Sequence, residues 1–197
     1  MKLYLSSDGL GATPKDLKDL AGEGQAAIVV NAVDWRAVEE RSQRFEQEQA
    51  MLRELGYDGL ELDLRKHSGA ESIRQFLTDK KLVWVRGGNS FLLIQRMRQS
   101  GFDQAIKQLL DKDEITYGGY SAGAMVAGTS LRGFEHADDP SLASEVHWDG
   151  LGLIDYAVIP HWESGEWAEQ TRRVKQVMDQ HGVKHRVLRD GEVIIVR

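Results

Sequence analysis

The 197 residues, 41% hydrophobic and 28% charged with only three prolines, suit one domain with a sizeable core and leave no room for long disordered linkers. The 31 acidic and 25 basic side chains give a formal charge of -6 and are interleaved along the chain, which argues against nucleic-acid binding. Cysteine is absent, so disulfides, thiolate metal sites and a cysteine nucleophile are excluded, and any covalent catalysis must use an oxygen or an amine.

No apolar run approaches the roughly 18 residues of a membrane span, and the N-terminus MKLYLSS reads as a strand and not as a signal peptide. The expectation is a cytoplasmic protein, monomer or homodimer, without nucleic-acid or membrane partners. The six histidines show no metal-ligand spacing, and no cofactor or metal is expected.

In chain order, residues 2–6 read as a first strand, and Thr13 with Pro14 signals a helix to about Leu20, Thr13 as cap and Pro14 in the first turn. The apolar run 26–31 fits a strand buried on both faces of a parallel sheet. Asp34 is placed to cap a charged helix over 35–55, followed by a strand over 57–64 and a helix over 71–77. A strand over 81–86 then runs into Gly87, Gly88 and Asn89, with helices over 91–99 and 103–110. Strands alternating with helices at this spacing predict a single doubly wound α/β domain over 1–197, its mostly parallel sheet covered by helices on both faces, with the ligand site at the carboxyl ends of the strands.

Ile115 to Thr129, ITYGGYSAGAMVAGT, gives the site its centre. A short strand over 115–117 leads through Gly118 and Gly119 to Ser121 and a small-residue helix, and Gly119 to Gly123 spell G-x-S-x-G, the pattern of a nucleophile elbow. Residues 131–152 lack periodicity and suit an active-site cover. A strand over 156–159 ends at Pro160 and His161, a helix covers 166–181, and residues 185–197 read as a C-terminal hairpin turning at Asp190-Gly191.

Serine needs a base at neutral pH, and an imidazole can take its proton and return it to a leaving amine. His161, at a strand's carboxyl end, is the leading candidate, with His136 and His147 in the irregular loop as alternatives; His67, His181 and His185 read as surface residues. Asp190, Glu192 or Glu163 could orient the histidine. The N–H groups of Ala122 and Gly88 could hold an oxyanion. An anion site at the same glycine turns is disfavoured, because neither G-x-G-x-x-G after the first strand nor G-K-[ST] is present.

Three segments together, VRGGNSF (85–91), YGGYSAGAMVAG (117–128) and LGLIDYAVIPHWES (151–164), resemble the peptidase E family of serine peptidases, which includes aspartyl dipeptidase and is related to cyanophycinase. The resemblance implies a fold like class I glutamine amidotransferases with serine replacing cysteine. It implies Ser121 as nucleophile, His161 as base and Gly88 at the oxyanion. The family's glutamate in L-x-E-G falls on Asp190 of Leu188-Arg189-Asp190-Gly191, one methylene shorter, with Glu192 as fallback.

The implied substrate is a small peptide, a dipeptide with an N-terminal aspartate. Asn89, Tyr120 and Glu135 are candidate substrate contacts, Glu135 sharing its loop with Asp138 and Asp139 as possible partners of the α-ammonium. Arg86, Arg132, Arg172 and Arg173 are the cations considered for the aspartate side chain. Another amide, isopeptide or ester substrate, and a noncatalytic binding protein on this fold, are the alternative readings.

Overall fold

Near-continuous apolar strands require cover on both faces. The computed structural model, which describes residues 1–197, shows how the chain supplies it. Eight strands form: β1 (Lys2–Ser6), β2 (Gln25–Val29), β3 (Asp58–Glu61), β4 (Lys80–Val85), β5 (Thr116–Tyr120), β6 (Ala157–Ile159), β7 (His185–Val187) and β8 (Val193–Val196). Six of them build one sheet in the order β3-β2-β4-β5-β1-β8, parallel except for β8, which runs antiparallel to β1.

Side chains alternate between the faces as the pleat demands. Leu3, Leu5, Ala27, Val29, Val83, Val85 and Tyr117 join one core, under α3 (Ala70–Leu77), α4 (Ser90–Ser100), α5 (Phe102–Asp111), α6 (Ala122–Met125) and α7 (Ala168–Gln180). Tyr4, Ala26, Ile28, Leu82 and Trp84 join the second, under α1 (Pro14–Ala21) and α2 (Val38–Glu54). No helix is long and apolar enough to cross a membrane.

Local differences from the expected elements have identifiable causes. Thr13 makes no side-chain cap bond; its carbonyl instead accepts from the Tyr4 hydroxyl at 3.0 Å. A 3-10 turn, Asn31–Val33, delays α2 to Val38, and Asp34 does not cap it. The Asp34 carboxylate is buried and accepts from Arg41 Nε at 2.9 Å and Arg96 Nε at 3.1 Å, charge-assisted partners stronger than a cap N–H. Gly118 and Gly119 lie inside β5 and not in the turn after it. A Cβ on Gly118 would meet Trp84 Cε3 at 2.6 Å, so the glycine makes room for the neighbouring indole.

The expected C-terminal hairpin does not form. Arg189 to Glu192 do turn tightly, Glu192 N–H donating to the Arg189 carbonyl at 2.9 Å, but the flanking strands part. β7 pairs in parallel with β6 in a separate two-stranded sheet, while β8 covers the open edge of β1 and buries Ile194 there. The Asp190 turn therefore crosses from the small sheet to the large one, at the carboxyl end of β1.

Candidate active site

Ser121 sits between β5 and α6 with φ 50° and ψ -117°, a conformation that a side chain makes costly. Its N–H donates to the carbonyls of Ser6 (3.3 Å) and Ser7 (3.2 Å) at the end of β1, and its carbonyl accepts from Ala124 and Met125, both at 2.9 Å. The elbow is thus anchored from both sides. Ala122, the first residue of α6, has an N–H with no partner inside the helix.

The loop between β4 and α4 lies against the serine. A Cβ on Gly87 would fall 2.8 Å from Ser121 Cβ, and one on Gly88, whose φ is 146°, would fall 2.6 Å from the Ala32 carbonyl oxygen. Asn89 N–H donates to that carbonyl at 2.9 Å and fixes the loop, while the Gly88 N–H donates to no other main-chain group. Gly88 and Ser121 line the same cavity of about 550 Å³.

His161 follows Pro160 at the end of β6, also at positive φ (55°), and lines that cavity. Its Nδ1–H donates to Asp190 Oδ1 at 2.7 Å, which leaves Nε2 as the basic nitrogen of the neutral ring. Its ring stacks on Trp167, centroids 5.9 Å apart at 27°. Burial opposes the charge on Asp190, but hydrogen bonds from Ser164, Ser7 and His161 outweigh it and hold the carboxyl below the usual range. No hydrogen bond joins the Ser121 hydroxyl to His161.

The alternative bases and acids lie elsewhere. His136 is exposed on a 3-10 turn, and His147 approaches Arg98 and Glu145; neither lines the cavity. Glu192 closes its own turn by accepting from Arg189 N at 2.8 Å, and Glu163 pairs with Arg189 Nη2 at 2.8 Å.

Two of the three expected substrate contacts, Tyr120 and Glu135, are corrected by the geometry, and the third, Asn89, lines the cavity. Tyr120 faces the other side of the sheet, where its hydroxyl donates to Glu48 at 2.7 Å and its ring packs near Trp84, because alternation along β5 turns it away from the cavity. Asn89 lies at the cavity wall, where Oδ1 caps α4 by accepting from Leu92 N and one Nδ2 proton holds the Asp139 carbonyl at 2.8 Å. Glu135 is exposed on the 3-10 turn Phe134–His136 and does not line the cavity; Asp138 and Asp139 do.

Asp138 accepts from Ser90 N–H (2.9 Å) and Ser90 Oγ (2.6 Å); burial raises its pKa, against these bonds and the nearby His161. Among the arginines, Arg86 lines the cavity and Arg132, Arg172 and Arg173 do not, while Arg36 and Arg44 join it. These two carried no sequence signal, since they sit in and before a helix whose charges read as a solvated face. Ser7 was missed as well, although the carboxyl end of the first strand is where such sheets place their sites. No cluster of three or more His, Asp or Glu is arranged to hold a metal ion.

A strand–elbow–helix serine at the carboxyl edge of a doubly wound sheet, facing a histidine–carboxylate pair, defines a hydrolase-like site on an α/β fold. The chain belongs to peptidase family S51, whose model matches residues 15–197. It is similar to an uncharacterised peptidase of Listeria innocua (28% identity over 148 residues, 74% of this chain and 69% of the relative). It is also similar to a peptidase E of Streptomyces coelicolor (27% over 133 residues, 64% and 52%) and to the "Probable alpha-aspartyl dipeptidase" of Drosophila melanogaster (27% over 129 residues, 62% and 52%). Other curated relatives are likewise matched over only 60% and 55% of their length. In fold, the chain superposes on the crystal structure of a peptidase E candidate from Listeria monocytogenes with a TM-score of 0.78 at 23% identity, covering 100% of this chain and 98% of that one.

Proposed function

We propose that the protein hydrolyses short peptides through Ser121, His161 and Asp190. The observation that carries this reading is the 2.7 Å bond from His161 Nδ1 to Asp190, which leaves Nε2 free in the cavity that Ser121 lines. In the proposed reaction, Ser121 Oγ attacks the scissile carbonyl as Nε2 takes its proton. The N–H groups of Gly88 and Ala122 hold the oxyanion. The tetrahedral intermediate collapses, the C–N bond breaks, and His161 gives its proton to the departing amine. Water, deprotonated by the same nitrogen, then cleaves the acyl-enzyme and restores the serine. In this reading the Ser121–His161 hydrogen bond forms with the substrate in place.

The preferred substrate in this reading is a dipeptide with an N-terminal aspartate. Arg36, Arg44 and Arg86 give the cavity three guanidinium groups for carboxylates, Arg44 being the least tightly paired at 3.8 Å from Glu40. Asp138 and Asp139 offer the opposite charge for an α-ammonium. The name of the Drosophila relative agrees with that preference.

A serine-directed phosphonate tests the chemistry and a dipeptide panel tests the preference. Ser121 should be the labelled residue, with Ser121→Ala unlabelled and inactive; labelling at another residue overturns the mechanism. Asp-X should be turned over faster than Ala-X and than simple esters. Preferential ester turnover would assign the site to another acyl substrate.

A further inference from the structure

We propose that Ser7 is a positioning residue of this site, holding the main chain of His161 and the carboxylate of Asp190 in one closed hydrogen-bonded ring. The inference rests on the serine-hydrolase reading for its kinetic consequence, but its geometry stands apart from the choice of substrate.

Ser7 follows β1 and is 0% exposed. Its Oγ accepts from the His161 N–H at 2.7 Å. The single hydroxyl proton has two acceptors in reach, Asp190 Oδ1 at 2.8 Å and the Leu188 carbonyl at 3.3 Å. The nearer, charged oxygen takes it. Asp190 Oδ1 also accepts from His161 Nδ1 at 2.7 Å. The ring therefore runs from His161 N–H to Ser7 Oγ, from Ser7 Oγ–H to Asp190 Oδ1, and back through the imidazole of the same histidine.

The rest of Ser7 touches the remaining parts. Its carbonyl accepts from Ser121 N–H at 3.2 Å, and its N–H donates to the Glu192 carbonyl at 3.2 Å, closing the turn that carries Asp190. One buried residue thus contacts all three members of the proposed triad, and a serine that merely satisfied itself at a strand end would need only one of these bonds.

The ring does two things. His161 is held at φ 55°, which a residue with a side chain rarely adopts unless its surroundings over-determine it. Asp190 cannot swing away when the imidazole becomes charged, because the Ser7 donor fixes the oxygen that faces it. Asp138 is the other carboxylate near His161, and Ser7 makes no bond to it.

The test compares the full-length wild type with Ser7→Ala, read by steady-state kinetics on the best dipeptide and by proton NMR of the His161 Nδ1–H. The expected result is a folded variant whose kcat falls roughly 10- to 100-fold while KM stays within about twofold, since a misplaced base is felt in the transition state and not in binding. The low-field Nδ1–H resonance should move or broaden. A folded Ser7→Ala protein with wild-type kcat and an unchanged resonance overturns the proposal. Should the variant not fold, wild type alone decides: a slowly exchanging Ser7 hydroxyl proton close to the His161 amide supports the ring, and its absence overturns it. Both NMR readings need no turnover, so a chain that cleaves no peptide yet shows them would refute the peptidase reading and leave the ring intact.

Discussion

Ser121 occupies a conformation, φ 50° and ψ -117°, that glycine would adopt without strain. The side chain costs about 1–3 kcal/mol there, whereas a glycine would cost about 0.4–1 kcal/mol through the entropy of the unfolded chain. Ser121→Gly should therefore melt above both wild type and Ser121→Ala, while both variants lose hydrolysis by orders of magnitude. Thermal melts of the three proteins check the sign; a glycine variant that melts lower would mean the elbow is not strained. The settings of Ser121 and His161 were legible because each lies in a short local motif, whereas the acid stood open among Asp190, Glu192 and Glu163 until the fold brought Asp190 within 2.7 Å of His161 Nδ1. Ser7 was not legible, because its role comes from a partner 183 positions away, and Asp138 was one acid among several in the irregular loop until Ser90, 48 positions away, fixed it.

Between β2 and α2, a buried charge cluster sets the helix entry. Asp34, its side chain 2% exposed, binds Arg41 and Arg96 and receives two bonds from Asn31 Nδ2; Asp63 joins through the same Asn31 nitrogen at 3.1 Å. Asp34→Ala leaves Arg41 Nε without its acceptor, although Glu61 and Asp63 still balance the guanidinium charge, so it should lower unfolding free energy by about 1–3 kcal/mol in denaturant titrations. A loss below about 1 kcal/mol, the range of exposed ion pairs, would show that water screens the cluster. Arg36 and Arg44 enter the cavity from this junction and the first turns of α2, so the same variant should also raise KM for Asp-X dipeptides. The sequence marked Asp34 as a helix cap because local rules know nothing of Arg96, 62 positions on.

Across the whole molecule, two apolar cores clamp the sheet, and several tyrosines are buried in or beside them. Burial, with a smaller contribution from Glu23, pushes the Tyr57 phenol up to about 12; Tyr4, Tyr117 and Tyr120 are also raised, each chiefly by burial. A phenol whose folded pKa exceeds its unfolded value of about 10 favours the folded state fully below that value, and the contribution is lost as pH rises toward the folded pKa. Stability should accordingly decline between pH 10 and about 12. Tyr57→Phe should flatten part of that decline and be neutral or stabilising at pH 7, because the Tyr57 hydroxyl is buried without a protein partner. Chemical unfolding of both proteins at pH 7, 10 and 11 measures this; an identical alkaline slope would exclude Tyr57 as a contributor.

The sequence by itself determined the alternation of strands and helices, the doubly wound parallel architecture, the strand–turn–helix setting of Ser121 and the strand-end setting of His161. These are written in periodicity and in motifs of a few residues, where cause and consequence are neighbours in the chain. Only the tertiary structure decided that β7 and β8 part instead of pairing, because a strand's partner is chosen by the open edges within reach and not by the turn beside it. That parting carries Asp190 to the end of β1, where Ser7 binds it. It likewise decided that Tyr120 and Glu135 lie away from the cavity, while Arg36, Arg44, Asn89 and Asp138 line it. Which way a side chain faces, and which polar group it finds, depends on distances that no local pattern encodes.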